Sequence, residues 1–132
     1  MHRPTLTALA AVAIAALLSG CGVRSEFETP TTTIYATTAE AQTALGSSMP
    51  TWIPEDGTLI RVKSDPKAGT IVAVQTAQPA PAPGGCTDLQ LTTVQDTWWP
   101  PQIDPAQVTC ADGWNLLGAD GRIYGWSSAA LG

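Results

Sequence analysis

The chain has 132 residues, a net charge of −5 and only 13% charged residues, against about 25% in ordinary soluble proteins. That length admits one small domain and a connecting segment. Six Lys and Arg against 11 Asp and Glu argue against a nucleic-acid partner and against a polybasic grip on anionic lipid.

The first element is an apolar run behind a thin positive end, Arg3 and the amino terminus. It covers Leu6, Ala8 to Ala16, Leu17 and Leu18, interrupted by Thr7, and closes on the small residues Ser19 and Gly20. These are the three parts of an export signal. From Thr5 to Leu18 the run is 14 residues long, short of the roughly 20 that cross a bilayer as a helix. The run by itself fits an ordinary cleaved signal peptide or a short membrane helix.

Leu18-Ser19-Gly20-Cys21 supplies an aliphatic residue, a small residue, glycine and then cysteine. At every position this resembles the lipobox of bacterial lipoproteins. The resemblance implies cleavage between Gly20 and Cys21, a thioether-linked diacylglyceryl group on the Cys21 sulfur, and often an acyl chain on its new amino group. Two or three acyl chains anchor stably, each buried CH₂ contributing about 0.8 kcal/mol, whereas one chain anchors marginally. It also implies a location on the outer, extracytoplasmic face of the cell membrane. Residues 1–20 are then the signal peptide, residues 21–35 a lipid-anchored tether and residues 36–132 the folded domain. The mature chain keeps all 11 acidic residues and loses Arg3 from the six basic ones, which leaves a net charge of −6.

With Cys21 assigned to lipid, Cys86 and Cys110 remain, and in an oxidising compartment pairing is the expected state. Closing that loop stabilises a small fold by about 3–4 kcal/mol in the chain-entropy model. A metal pair lacks support, because no Cys-x-x-Cys spacing occurs and His2, the only histidine, leaves with the signal.

Gly22 to Thr33 is rich in Thr and almost devoid of apolar residues beyond Val23 and Phe27. It reads as a spacer that cannot offset its own ordering entropy, spanning roughly 20 Å as a flexible chain. Ala36 to Gly46 is the one helical candidate, with Thr37 or Thr38 as cap, Glu40 in the first turn, and Ile34, Ala41 and Leu45 as a possible apolar face. Pro50 and Pro54 flank Trp52 and Ile53 in an extended entry.

Thr58 to Ser64 alternates Ile60 and Val62 with Arg61 and Lys63. With Thr70 to Thr76 it predicts a β-hairpin across the turn at Asp65-Pro66. Ala77 to Gly85 is an extended Pro- and Ala-rich connector. Leu89, Leu91 and Val94 suggest a further short strand, whereas Trp98-Trp99-Pro100-Pro101 must be irregular. Val108 to Cys110 is a strand fragment, and Trp114 to Leu117 with Arg122 to Trp126 form a closing hairpin. The expected fold is a small β-rich α+β domain: an antiparallel sheet of hairpins, one short N-terminal helix and one disulfide.

The positions of Trp52-Ile53-Pro54, Ile60-Arg61-Val62, Cys86, Cys110 and Tyr124-Gly125-Trp126 resemble those of small uncharacterised actinobacterial lipoproteins and secreted proteins. The likeness covers most of the mature domain and brings no activity with it.

Nothing in the mature chain pairs a nucleophile with a base. Lys63 and Ser64 are adjacent on a strand and point to opposite faces. Asp88, Asp96, Asp104, Asp112 and Asp120 recur every eight residues, two of them in Asp-Gly turns, and match no calcium loop. The sequence therefore predicts a non-enzyme without cofactor or metal.

Of five tryptophans, Trp52, Trp114 and Trp126 sit beside strand patterns as core candidates. Trp98 and Trp99, adjacent in a Pro-bounded loop, are either a lid over the core or a recognition surface. Two functions follow: first an interaction or scaffold protein that docks an envelope protein, and as its alternative a small module that binds a ligand or cell-wall glycan. The first is preferred because a mature chain this short cannot supply the two large lobes general among solute-binding lipoproteins.

Overall fold

The computed structural model describes residues 30–131; the expected signal peptide, Cys21 and most of the expected tether lie outside the described residues. Six strands form one antiparallel sheet: β1 (Thr32–Thr37), β2 (Thr58–Asp65), β3 (Gly69–Gln75), β4 (Thr109–Ala111), β5 (Trp114–Ala119) and β6 (Arg122–Ser127). Their order across the sheet is β1-β2-β3-β6-β5-β4. Two three-stranded meanders thus meet along β3 and β6, with Ile71 opposite Trp126 and Ala73 opposite Tyr124. The α+β expectation holds, with one sheet, one short α-helix and the Cys86–Cys110 disulfide.

Turn chemistry sets the second meander. Asp112-Gly113 joins β4 to β5 and Asp120-Gly121 joins β5 to β6. All four residues have positive φ, 52° and 80° in the first pair and 54° and 72° in the second. Two-residue hairpin turns of this hand match the strand twist and favour Asp-Gly. In the first meander Asp65 Oδ1 accepts from the Lys67 N–H across the β2–β3 turn. The pairing of β2 with β3 slips at Leu59, whose φ of 47° marks a bulge.

β3 lies in the middle of the sheet, and Gly69 to Val74 are all buried. An uninterrupted run such as Ile71-Val72-Ala73-Val74 is what a strand covered on both faces requires. On one face Ile60, Val62, Val72 and Val74 pack with Ala41, Ile53 and the edges of Trp52 and Trp114. The helix α1 (Thr38–Leu45) and the segment around Trp52 cover this side. On the other face Ile71, Ala73, Leu117, Tyr124 and Trp126 pack with Val94, Trp99 and Val108. The cover there is the long irregular connection between β3 and β4.

The helix starts as its sequence suggests. Thr37 Oγ1 accepts from the Glu40 N–H, and Glu40 Oε2 accepts from the Ala36 N–H, a reciprocal cap in the manner of a capping box. Thr38 ties this start to the following turn, donating through Oγ1 to Pro54 O at 2.6 Å. Gly125 admits Trp52: a Cβ there would collide with the indole.

Three expectations are corrected. Ile34 belongs to β1, not to the helix face, and is 55% exposed. The tether expected over residues 21–35 gives up its last four residues to β1, because Thr32 to Tyr35 find partners from Lys63 to Ile60. Leu89, Leu91 and Val94 form no strand; Val94 is buried while Leu91 is 59% exposed, since irregular backbone frees the side chains from strict alternation.

Candidate functional site

The two residues singled out for recognition occupy different environments. Trp99 is 5% exposed and sits at the centre of an aromatic cluster. Its ring meets Trp98, Tyr124 and Trp126 edge to face at 6.0, 5.7 and 5.9 Å, the geometry that aromatic quadrupoles prefer. Trp99 is therefore core and presents no surface to a partner. Trp98 is half-buried above it, and its Nε1–H donates to Thr32 Oγ1 at 3.1 Å.

That hydroxyl is the hub of a clasp between the first strand and the loop. Thr32 Oγ1 donates to Asp96 Oδ2 at 2.6 Å while it accepts from Trp98. Lys63, opposite Thr32 in the sheet, donates to Gln95 O at 2.6 Å and lies 3.4 Å from Asp96 Oδ2. The other Asp96 oxygen accepts from the Thr97 N–H. The Thr32 hydrogen bond, opposed by partial burial and helped by Thr97 and Lys63, lowers the Asp96 pKa to about 2. A carboxylate held this way is structural: each of its neighbours is already engaged.

The described residues also form an open groove of about 380 Å³, within the range of ligand sites. Its walls come from the loop from Gly85 to Thr92, the β4–β5 turn with the start of β5, and the end of β6, with Ala68 of the β2–β3 turn beside them. Asp88, Gln90, Thr92, Asp112, Trp114 and Asn115 are among its lining residues, and no Lys or Arg is.

Each wall is fixed from behind. Cys86–Cys110 ties the loop to β4, Trp126 Nε1–H donates to Gln90 O at 2.7 Å, and Asn115 Nδ2–H donates to Trp126 O at 3.3 Å. Asp88 Oδ1 accepts from Gln90 Nε2. Sequence reading missed this groove, since its walls are far apart in the chain. The one local trace of it is the Asp112-Gly113 turn.

Among the described residues no three His, Cys, Asp or Glu gather as metal ligands, and both cysteines are bonded to each other. No described helix is long and apolar enough to cross a membrane. In comparisons with known proteins, the chain matches no family model, no curated protein and no solved structure.

Proposed function

We propose that this protein is a non-catalytic lipoprotein of the cell envelope, held on the outer face of the membrane by lipid on Cys21 and acting by binding. The observation that carries the reading is Leu18-Ser19-Gly20-Cys21 at the end of an apolar run too short to span a bilayer. The Cys86–Cys110 bridge supports it, because stable disulfides belong to oxidising compartments outside the cytosol. The non-catalytic reading rests on the sequence, whose only histidine is His2 and whose other two cysteines pair with each other.

Binding has two forms here. As a scaffold, the domain docks an envelope protein through its acidic surface, with the half-buried Trp98 at the margin. As a ligand module, it takes a small solute or a cell-wall glycan. The groove favours the second form, for the large exposed hydrophobics Ile34, Leu59 and Leu91 are distributed over three separate segments. Intact-mass measurement of the membrane-extracted protein tests the anchor. The expected chain begins at Cys21 and carries acyl mass, and Cys21→Ala loses both lipid and membrane retention. An unlipidated wild-type chain starting elsewhere overturns the reading.

A further inference from the structure

We infer that the groove between the 85–92 loop and the β4–β5 turn binds a short, uncharged stretch of polysaccharide. This rests on the ligand-binding form of the reading above and names the class of ligand.

Shape is the first argument. The groove has the volume of a ligand site and is open to solvent rather than closed into an internal cavity, so a chain seated in it can keep its ends in solvent. Stiffness is the second. The loop wall is fastened by a disulfide and by the Trp126–Gln90 hydrogen bond, and the opposite wall is a two-residue turn whose backbone both residues hold at positive φ. Pre-formed walls spare the entropy that binding would otherwise cost.

Chemistry is the third. Asp88 and Asp112 supply carboxylate acceptors, Gln90 and Asn115 planar amides, and Thr87 and Thr92 hydroxyls. Vicinal sugar hydroxyls both donate and accept, and carboxylates make the stronger, charge-assisted bonds to them. Asp88 has one oxygen engaged by Gln90 and the other without a partner among the described residues. Leu91, 59% exposed, adds an apolar wall against which the C–H face of a sugar ring can rest.

The electrostatics narrow the class. With two carboxylates and no Lys or Arg on the lining, phosphate or carboxylate groups would meet like charge unpaired, so teichoic-type and uronic polymers are rejected.

The test titrates the intact lipidated protein in phosphatidylcholine vesicles by calorimetry and tryptophan fluorescence. The probes are the tetramers of N-acetylglucosamine, glucose and mannose, with a galacturonate trimer and an oligolysine peptide as comparators. The Asp88→Asn/Asp112→Asn double variant keeps the fold, because Asp88 is exposed and Asn accepts the positive φ of position 112; its melting is measured alongside.

Saturable binding of a neutral tetramer, weakened about tenfold in the double variant at unchanged melting, is the expected result. Three outcomes overturn the proposal: no neutral tetramer binds, the double variant binds as well as the wild type, or oligolysine is the preferred probe. The last would make the groove a docking site for a basic protein segment. Measuring the intact mass of the titrated wild-type protein separates the two readings. Lipid without sugar binding defeats the groove assignment alone, and sugar binding by wild-type chain that carries no lipid defeats the anchor alone.

Discussion

The two faces of the sheet are covered by opposite means. On one, the helix α1 and the Trp52 segment lie over an aliphatic core of Ile53, Ile60, Val62, Val72 and Val74. Their polar backbone is met locally, by the Thr37–Glu40 cap and the Thr38 bonds to Pro54 and Gly57. On the other, about thirty residues without a strand or α-helix of their own lie over an aromatic core. That cover closes only short turns of its own, such as Trp99 N–H to Asp96 O, and no ladder. It is pinned instead by long-range contacts: Thr32 and Lys63 to Asp96, Trp126 to Gln90, and the disulfide. Irregular chain becomes a stable cover when large rings supply the burial and side chains from the sheet supply the missing partners.

The contrast can be broken first at its aromatic centre. Trp99→Ala should cost about 3–5 kcal/mol, because the ring leaves a hole that a loop braced by a disulfide cannot collapse into. Chemical denaturation measures it, and a loss under 1 kcal/mol would mean that Trp99 is not core. Cys110→Ser should cost about 3.5 kcal/mol on the chain-entropy account of its loop. Hydrogen exchange sharpens this prediction: amides from residues 86 to 108 should lose protection while the helix keeps its own, and uniform loss would show that the two covers are not separable.

Gly125→Ala attacks the helical side. Its methyl group drives into Trp52, an overpacking worth about 1–3 kcal/mol, and near-UV circular dichroism of the Trp52–Trp114 pair should change with it.

The smallest effect belongs to the clasp. Thr32→Val removes one donor and one acceptor and should cost about 1 kcal/mol per hydrogen bond lost. Acid unfolding reads the same site. The folded-state pKa of Asp96, about 2, lies below its ordinary 3.8, so the folded protein binds fewer protons than the unfolded chain. The stability this contributes is complete above about pH 4 and disappears as pH falls through about 2. In Asp96→Asn that segment of the acid titration should be flat, and in Thr32→Val it should be smaller and end at a higher pH, because the folded-state pKa moves toward the unfolded one; an unchanged wild-type curve in both would dismiss the clasp.

Much of the fold was legible where its causes are local. The β2–β3 hairpin shows in the alternation of Ile60 and Val62, the closing hairpin in Asp120-Gly121, and the helix start in Thr37 and Glu40. What escaped depends on distant partners. Thr32 to Tyr35 carry too few apolar side chains to announce a strand, and become one only because Arg61 and its neighbours offer an edge. Val94 is buried by the aromatic cluster and not by any period of its own. Trp98 and Trp99 stand side by side in the sequence, which does not say which of them is buried; Trp99 fills the core and Trp98 covers it. The groove left still less trace, as Asp88 and Asp112 share it only after the disulfide and the second meander are in place.

The clasp at Thr32 has a mechanical consequence. A chain held upstream delivers any pull to the first residue of an edge strand, where antiparallel pairs would otherwise open one after another like a zipper. Thr32 pairs with Lys63 and is gripped by Asp96 and Trp98 from the loop. A pull on the N-terminal chain is thus shared at once between the sheet and a loop closed by a covalent bridge. Force spectroscopy with the handle at the N-terminus should therefore find an initial peeling event in Thr32→Val at lower force than in the wild type, with the later unfolding of the sheet unchanged.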